Sequence, residues 1–249
     1  MPDALLWDAV RALLPRSGAS GAPPADVLDV GGGTGGLAVP LAALGHRVTV
    51  VDPSPDALAA LARRASESGV ERLIVARQAD ADDLQVADES FDLALCHGVL
   101  EHVDDPSTAL AGIARALRPG ARLSLLAAQR SAAVIGAALA GHLARAQALL
   151  DDPEGRWGEH DPLVRRFDRD RIVALVASAG LEVDGVEGVR VLADLVAGQL
   201  LETDPTATAR LHDLDARLVG GPDYAGLSAS LHLRAHRPAP TGERPRTAE

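Results

Sequence analysis

Eight residues near the start of the chain, Asp29-Val30-Gly31-Gly32-Gly33-Thr34-Gly35-Gly36, leave few folds open. A short apolar run, Val27 to Val30, reads as a buried strand leading into them, and Leu37 to Leu44 reads as the helix that follows. Glycines in such a place let the backbone turn sharply and come close to a ligand. The helix after them turns free N–H groups toward a polar or anionic ligand end. A second, β-branched strand, Arg47 to Val51, ends at Asp52, where an acid accepts hydrogen bonds from ribose hydroxyls in nucleotide-binding α/β folds. A glycine loop alone is weak evidence. Strand, loop, helix, strand and terminal acid in register point to a bound nucleoside cofactor.

The alternation continues beyond this unit. Asp56 to Ser68 has helical spacing, with Ser54 as N-cap and Gly69 as C-cap. Leu73 to Ala76 and Phe91 to Cys96 read as strands, Pro106 to Leu117 as a helix, and Arg122 to Ala127 as a strand entered through Arg118-Pro119-Gly120. The second half predicts one long helix over Ser131 to Leu150, a charged loop around Trp157, a helix over Asp168 to Ala179, and strands over Leu181 to Val191 and Leu227 to His236. The expected fold is α/β: a doubly wound, mostly parallel, seven-stranded sheet with helices on both faces. A mostly helical cap insertion, about 192–223, precedes the last strand. The expected organisation is an N-terminal helix over 1–16, a linker over 17–24, the domain over 25–237 and a disordered tail over 238–249. Ligands of such sheets bind at the carboxyl ends of the strands, where the strand order reverses.

Composition narrows the partners. The chain has 35 acidic and 24 basic residues and a formal net charge of −11, with no Lys and no Asn. That balance argues against bulk electrostatic binding to nucleic acid or to an anionic membrane. One Cys, Cys96, excludes an intrachain disulfide framework and fits a reducing, cytoplasmic compartment. No signal peptide is visible, and the longest uncharged apolar stretch, Ala132 to Gly141, is about half the roughly 20 residues a bilayer requires. The spacing of His97, Glu101, His102 and Asp104 matches no common metal-ligand set.

Two cofactors suit the loop, a nicotinamide dinucleotide and S-adenosylmethionine. A carboxylate at Asp29 would repel a pyrophosphate but suits a ligand bearing an ammonium group, and the chain lacks an obvious hydride-transfer substrate domain. At this point a family resemblance enters. Asp29-Val-Gly-Gly-Gly-Thr-Gly, Val51-Asp52, Ala79-Asp80-Ala81-Asp82-Asp83-Leu84, Ser90-Phe91-Asp92-Leu93, Val99-Leu100-Glu101-His102-Val103 and Leu117-Arg118-Pro119-Gly120 resemble, in order and spacing, the class I S-adenosylmethionine-dependent methyltransferases. The resemblance implies that Gly31 and Gly32, with Gly33 beside them, pass under the methionine portion of S-adenosylmethionine. It implies that Asp52 binds the ribose, that Ala81 and Asp82 hold the adenine edge, and that His97 lines the methionine side.

Methyl transfer from a sulfonium needs an aligned acceptor lone pair and an excluded solvent. It needs a general base only for an alcohol, an amine or an acidic C–H. No general base is assigned from the sequence. Candidate acceptor contacts are His102, Tyr224 and Arg190, the last an arginine in an apolar run, costly unless paired with Asp194, Glu187 or an acceptor. Gly188-Val-Arg-Val, Leu211-His-Asp-Leu-Asp-Ala-Arg and the last strand are similar to the tRNA carboxymethoxyuridine methyltransferases. That resemblance implies O-methylation of a wobble-uridine carboxylate anchored by Arg190. Members of that family carry a segment before the Leu6-Trp7-Asp8 helix with an Arg for the cofactor's carboxylate, and this chain starts later. The alternatives are a methyltransferase acting on a small metabolite and a non-catalytic S-adenosylmethionine-binding protein. From Arg145 to Arg190, seven Arg face ten Asp plus Glu, a poor balance for gripping a tRNA backbone.

Overall fold

The computed structural model describes residues 4–14, 23–192, 195–196, 204, 206–219, 221 and 224–239. Residues 17–22 of the expected linker, much of the expected cap (193–194, 197–203, 205, 220 and 222–223) and the tail from 240 lie outside the described residues.

Among those residues the chain runs α1 (Ala4–Leu13), β1 (Asp26–Val30), α2 (Ala38–Ala43), β2 (Arg47–Val51), α3 (Pro55–Glu67), β3 (Ile74–Arg77), β4 (Phe91–His97), α4 (Pro106–Ala116) and β5 (Leu117–Ala128). It continues through α5 (Arg130–Leu139), α6 (Leu143–Asp151), α7 (Arg169–Ser178), β6 (Glu182–Val189), α8 (Ala207–Leu218) and β7 (Ser230–His236). The strands form one seven-stranded sheet in the order β3-β2-β1-β4-β5-β7-β6. The first five strands form four parallel pairs, and β7 inserts antiparallel between β5 and β6. Strand order therefore reverses between β1 and β4, the place where an α/β sheet opens a crevice for a ligand.

Alternation along each strand divides the core into two layers. Leu93 and Leu95 of β4 face the layer holding Val27, Val48, Val50, Leu41 and Leu61, while Ala94 and Cys96 face the layer with Leu110, Ile113 and Leu125. Local signals held where the side chain makes the bond that defines the boundary. Ser54 caps α3, its hydroxyl accepting from Ala57 N at 3.2 Å, and Asp105 caps α4 by accepting from Ser107 N at 2.9 Å.

Two expected elements differ. The single helix over 131–150 is two helices, α5 and α6, because Gly141 takes φ +79° and His142 N donates back to Ala137 O, closing the first helix. Strand β5 begins at Leu117 rather than Arg122. Leu117 pairs with Phe91, and the Arg118-Pro119-Gly120 turn is absorbed as a register shift within the strand. Of the expected helical cap, the described part contains α8. No helix among the described residues is long and apolar enough to cross a membrane.

Candidate active site

At the reversal point a cleft of about 450 Å³ opens between the carboxyl ends of β1, β2 and β4. Gly31, Asp52, Ala81, Asp82 and His102 line it, and so do Val99, the first residue of the Val99-to-Val103 motif, and Gly98, which no motif contained. Asp52 is built into the loop geometry. Its Oδ2 accepts from Gly33 N at 2.9 Å and its Oδ1 accepts from Ser54 N at 2.9 Å, so one carboxylate ties the glycine loop to the start of α3. Gly31 takes φ +67°, and a Cβ there would stand 2.4 Å from Val99 Cγ2, so only glycine lets the loop close on the β4 side.

Asp29 stands behind the loop rather than in the cleft. It is 3% exposed, its Oδ2 has no hydrogen-bond partner among the described residues, and a Cβ on Gly32 would meet that oxygen at 2.5 Å. Burial, reinforced by the nearby Asp52 carboxylate, pushes its pKa up to about 7.

His97 does not line the cleft. Its Nε2 lies 2.9 Å from Ser124 Oγ, which lies 2.8 Å from Nε2 of the buried His232. Burial, together with the neighbouring His232, lowers the His97 pKa to about 3; burial, with Arg234 nearby, lowers that of His232 to about 4. Both rings are neutral at pH 7. Cys96, buried beside them, has its thiol pushed up by burial and by Glu101 and Asp29, so it is an inert core residue. No group of three or more His, Cys, Asp or Glu among the described residues could hold a metal.

A family model described as a methyltransferase domain matches residues 28–125, the stretch that builds this cleft. The chain is 29% identical over 238 residues to a tRNA 5-carboxymethoxyuridine methyltransferase of Escherichia coli K12, covering 94% of this chain and 87% of that protein. It is 31% identical over 183 residues to a ubiquinone biosynthesis O-methyltransferase of Xylella fastidiosa, covering 74% of this chain and 69% of the relative. An S-adenosylmethionine-dependent methyltransferase from Mesorhizobium loti shares the fold with a TM-score of 0.61 at 19% identity, covering 94% of this chain and 98% of that one. The chain belongs to the class I S-adenosylmethionine-dependent methyltransferases.

Beside this cleft the methyltransferase has a second cavity of about 400 Å³, beneath α5 and α6. Helix α5 turns Ala132, Ala133, Gly136, Ala137 and Ala140 toward it, Leu149 and Leu163 close the sides, and His142 and Arg145 stand at its rim. Leu227 and Ala229 line it too, and Ala229 N donates to Arg190 O at 3.3 Å. Arg190 itself is exposed and takes φ +61°, uncommon for a residue with a side chain. Glu187, expected as its partner, instead pairs with Arg234 at 2.5 Å; Asp194 lies outside the described residues. Tyr224 is 45% exposed just before the turn that carries Leu227. The expected acceptor residues thus divide, with His102 in the first cleft and Arg190 and Tyr224 on segments leading to the second cavity.

A buried acid stands between the walls of the two spaces, next to His102 of the first and bonded to Ala128 of the second. Glu101, 3% exposed, accepts from Ala128 N at 2.5 Å through Oε1, while Oε2 has no partner among the described residues; burial raises its pKa. The loop before α7 then clamps the cleft wall. Arg165 donates to the carbonyls of Leu100 (2.9 Å), Val103 and Asp104 (3.1 Å), and its Nε pairs with Glu154 at 3.3 Å. Sequence spacing gave no sign of this clamp, because the carbonyls it holds lie more than 60 positions away. Replacing Arg165 with Leu strands three carbonyls and is expected to cost about 3 kcal/mol of stability, with weaker S-adenosylmethionine binding because Val103 and Asp104 line the cleft. Calorimetric melting and titration check this; a wild-type melting temperature would remove the clamp from the argument.

Proposed function

We propose that this methyltransferase transfers the methyl of S-adenosylmethionine to an oxygen of a small-molecule acceptor. The observation carrying the choice of acceptor is the state of the arginines near the mouth. Arg130 pairs with Asp168, Arg156 with Asp152, Arg165 and Arg171 with Glu154, and Arg166 with Asp161, which leaves Arg145, among the described residues, as an isolated cation in this region rather than one of a basic surface. Asp52, Asp80, Asp82 and Asp104 line the cleft itself. Gripping a nucleic-acid backbone takes uncompensated cations.

The residues present fit the cofactor. Asp52 is the acid for the ribose hydroxyls, Gly31, Gly32 and Gly33 form the close backbone surface, and Ala81 and Asp82 stand where an adenine edge would lie. Asp29, buried behind the loop, sets the shape of the glycine turn from below rather than touching the ligand. The acidic rim favours a cationic ligand over a pyrophosphate. When bound, the cofactor supplies a methyl on a sulfonium whose positive charge is lost in the transfer. The chain's part is to hold and align the acceptor and keep water out. His97 is read here as a support of the β4 end rather than as a cofactor contact.

A second reading has its own support: the likeness to the E. coli tRNA enzyme runs over nearly the whole chain. Under it the acceptor is a wobble-uridine carboxylate, Arg190 is its anchor, and no base is needed. Incubation with labelled S-adenosylmethionine and, separately, total tRNA or a small-molecule extract separates the two. Label is expected in the small-molecule fraction. Label in tRNA alone overturns the first reading in favour of the second.

A further inference from the structure

The second cavity has the size of a ligand site, within the range of about 300–1,000 Å³ typical of small-molecule pockets. It shares none of its lining with the cofactor cleft, yet Glu101 stands between the walls of the two, holding Ala128 on one side and adjoining His102 on the other. Its chemistry is graded along its length. The residues that α5 turns to the cavity are alanines and one glycine, and Leu149, Leu163, Leu195 and Leu227 face that wall, so the body of the space is mainly apolar, with Gln129 and Arg166 as polar points in its lining. At the inner end stands Ala128, and behind it the buried Glu101, which accepts from Ala128 N and whose Oε2 lacks a hydrogen-bond donor among the described residues. The rim holds His142 and Arg145. Among the described residues Arg145 forms no ion pair; its guanidinium lies 4.2 Å from the ring centroid of Trp157. The contrast with the paired arginines around it is the informative point. Arg166 also reaches this cavity but is bound by Asp161 at 2.7 Å.

Resting on the small-acceptor reading above, we propose that the α5–α6 cavity is the acceptor site, and that it takes a hydroxy acid with a mainly apolar body. The anionic group sits at Arg145 and His142, the hydrocarbon or aromatic body lies along the alanine face of α5, and the hydroxyl lies at the inner end beside Ala128, on the side of Glu101. An acid without an apolar body would leave the cavity unfilled, and a neutral apolar molecule would leave Arg145 without a counter-charge.

Gly136 gives a clean test, because a Cβ built there meets nothing within 4 Å, so a larger side chain enters open space without a clash. The probe is 1-anilinonaphthalene-8-sulfonate, an apolar aromatic anion, and its neutral counterpart is N-phenyl-1-naphthylamine. Both dyes are titrated into the full chain by fluorescence. Gly136→Phe is expected to weaken both by roughly tenfold or more, by occupying their space. Arg145→Gln is expected to weaken the anionic dye by roughly tenfold and leave the neutral dye within about twofold, because only the anion loses a charged partner. Titration with S-adenosylmethionine should be unchanged in both variants, which also reports that they are folded. Unchanged dye affinity in Gly136→Phe, or an equal effect of Arg145→Gln on the two dyes, overturns the proposal. If labelled transfer reaches only tRNA while the dyes behave as expected, the small-acceptor reading falls and the cavity stands as a site for apolar acids. If a small molecule is labelled while the dyes do not respond, the reading stands and the site falls.

Discussion

Asp52→Asn is expected to lower the affinity for S-adenosylmethionine by roughly a hundredfold, because hydrogen bonds to a charged group contribute about 1.5–3 kcal/mol each and this carboxylate makes two of them before any ligand binds. Its oxygens accept from Gly33 N and Ser54 N, both at 2.9 Å. Asparagine keeps one acceptor and turns its NH₂ toward the other backbone donor, so either the glycine loop or the first turn of α3 loses its tether. The charge that would face a ribose goes as well. Isothermal titration on the folded variant measures the loss, with melting temperature as a control for loop disorder. Asp82 supplies the contrast. It also lines the cleft, but it is exposed. Asp82→Asn is therefore expected to change affinity only a few-fold, in keeping with the small worth of solvated charges. Equal affinities for wild type and Asp52→Asn would mean that the cofactor site is misplaced.

The cleft was readable before the fold because its parts are contiguous in sequence. Gly31, Asp52, Ala81 and His102 each end or follow a strand, so locating the strands located the lining. Buried parallel strands advertise themselves as apolar runs, and Val27 to Val30 and Leu93 to Cys96 did so. What failed to show had a different cause in each case. The break at Gly141 sits inside an apolar helical pattern that continues on both sides, and glycine within such a pattern is tolerated. The His97–Ser124–His232 chain joins β4, β5 and β7 over 27 and 108 positions, a proximity that only the strand order creates. The second cavity depends on how the α5–α6 hairpin leans over the ends of β5 and β7. Ala132, Ala133, Gly136, Ala137 and Ala140 read in sequence as an ordinary small-residue helix face.

The two buried histidines give the other large expected effect. Each has a folded-state pKa below its ordinary value of 6.5, about 3 for His97 and about 4 for His232. Below pH 6.5 the unfolded chain therefore binds protons that the folded chain refuses, and stability falls as pH falls, until the folded-state pKa is passed. Ser124 accounts for the neutrality in part. One hydroxyl proton can be donated to one ring while the oxygen accepts from the other, which fits two neutral imidazoles of opposite tautomer and has no place for an added proton. Asp29 and Glu101, whose pKa values are raised, act with the opposite sign, so wild-type stability alone would mix the contributions. The difference between wild type and His232→Gln removes them. Glutamine can bond Ser124 either way but does not titrate. At pH 7.5 the variant is expected to be less stable by about 1 kcal/mol, the worth of an imperfect hydrogen bond. From pH 6.5 down to 4 the difference should move in the variant's favour by about 1.4 kcal/mol per pH unit, and the two stability curves should cross below about pH 6. Urea unfolding at half-unit steps from pH 4.5 to 7.5 measures it. Parallel curves would mean that His232 takes up its proton as freely in the folded chain as in the unfolded one, and that the buried chain from His97 to His232 is open to water.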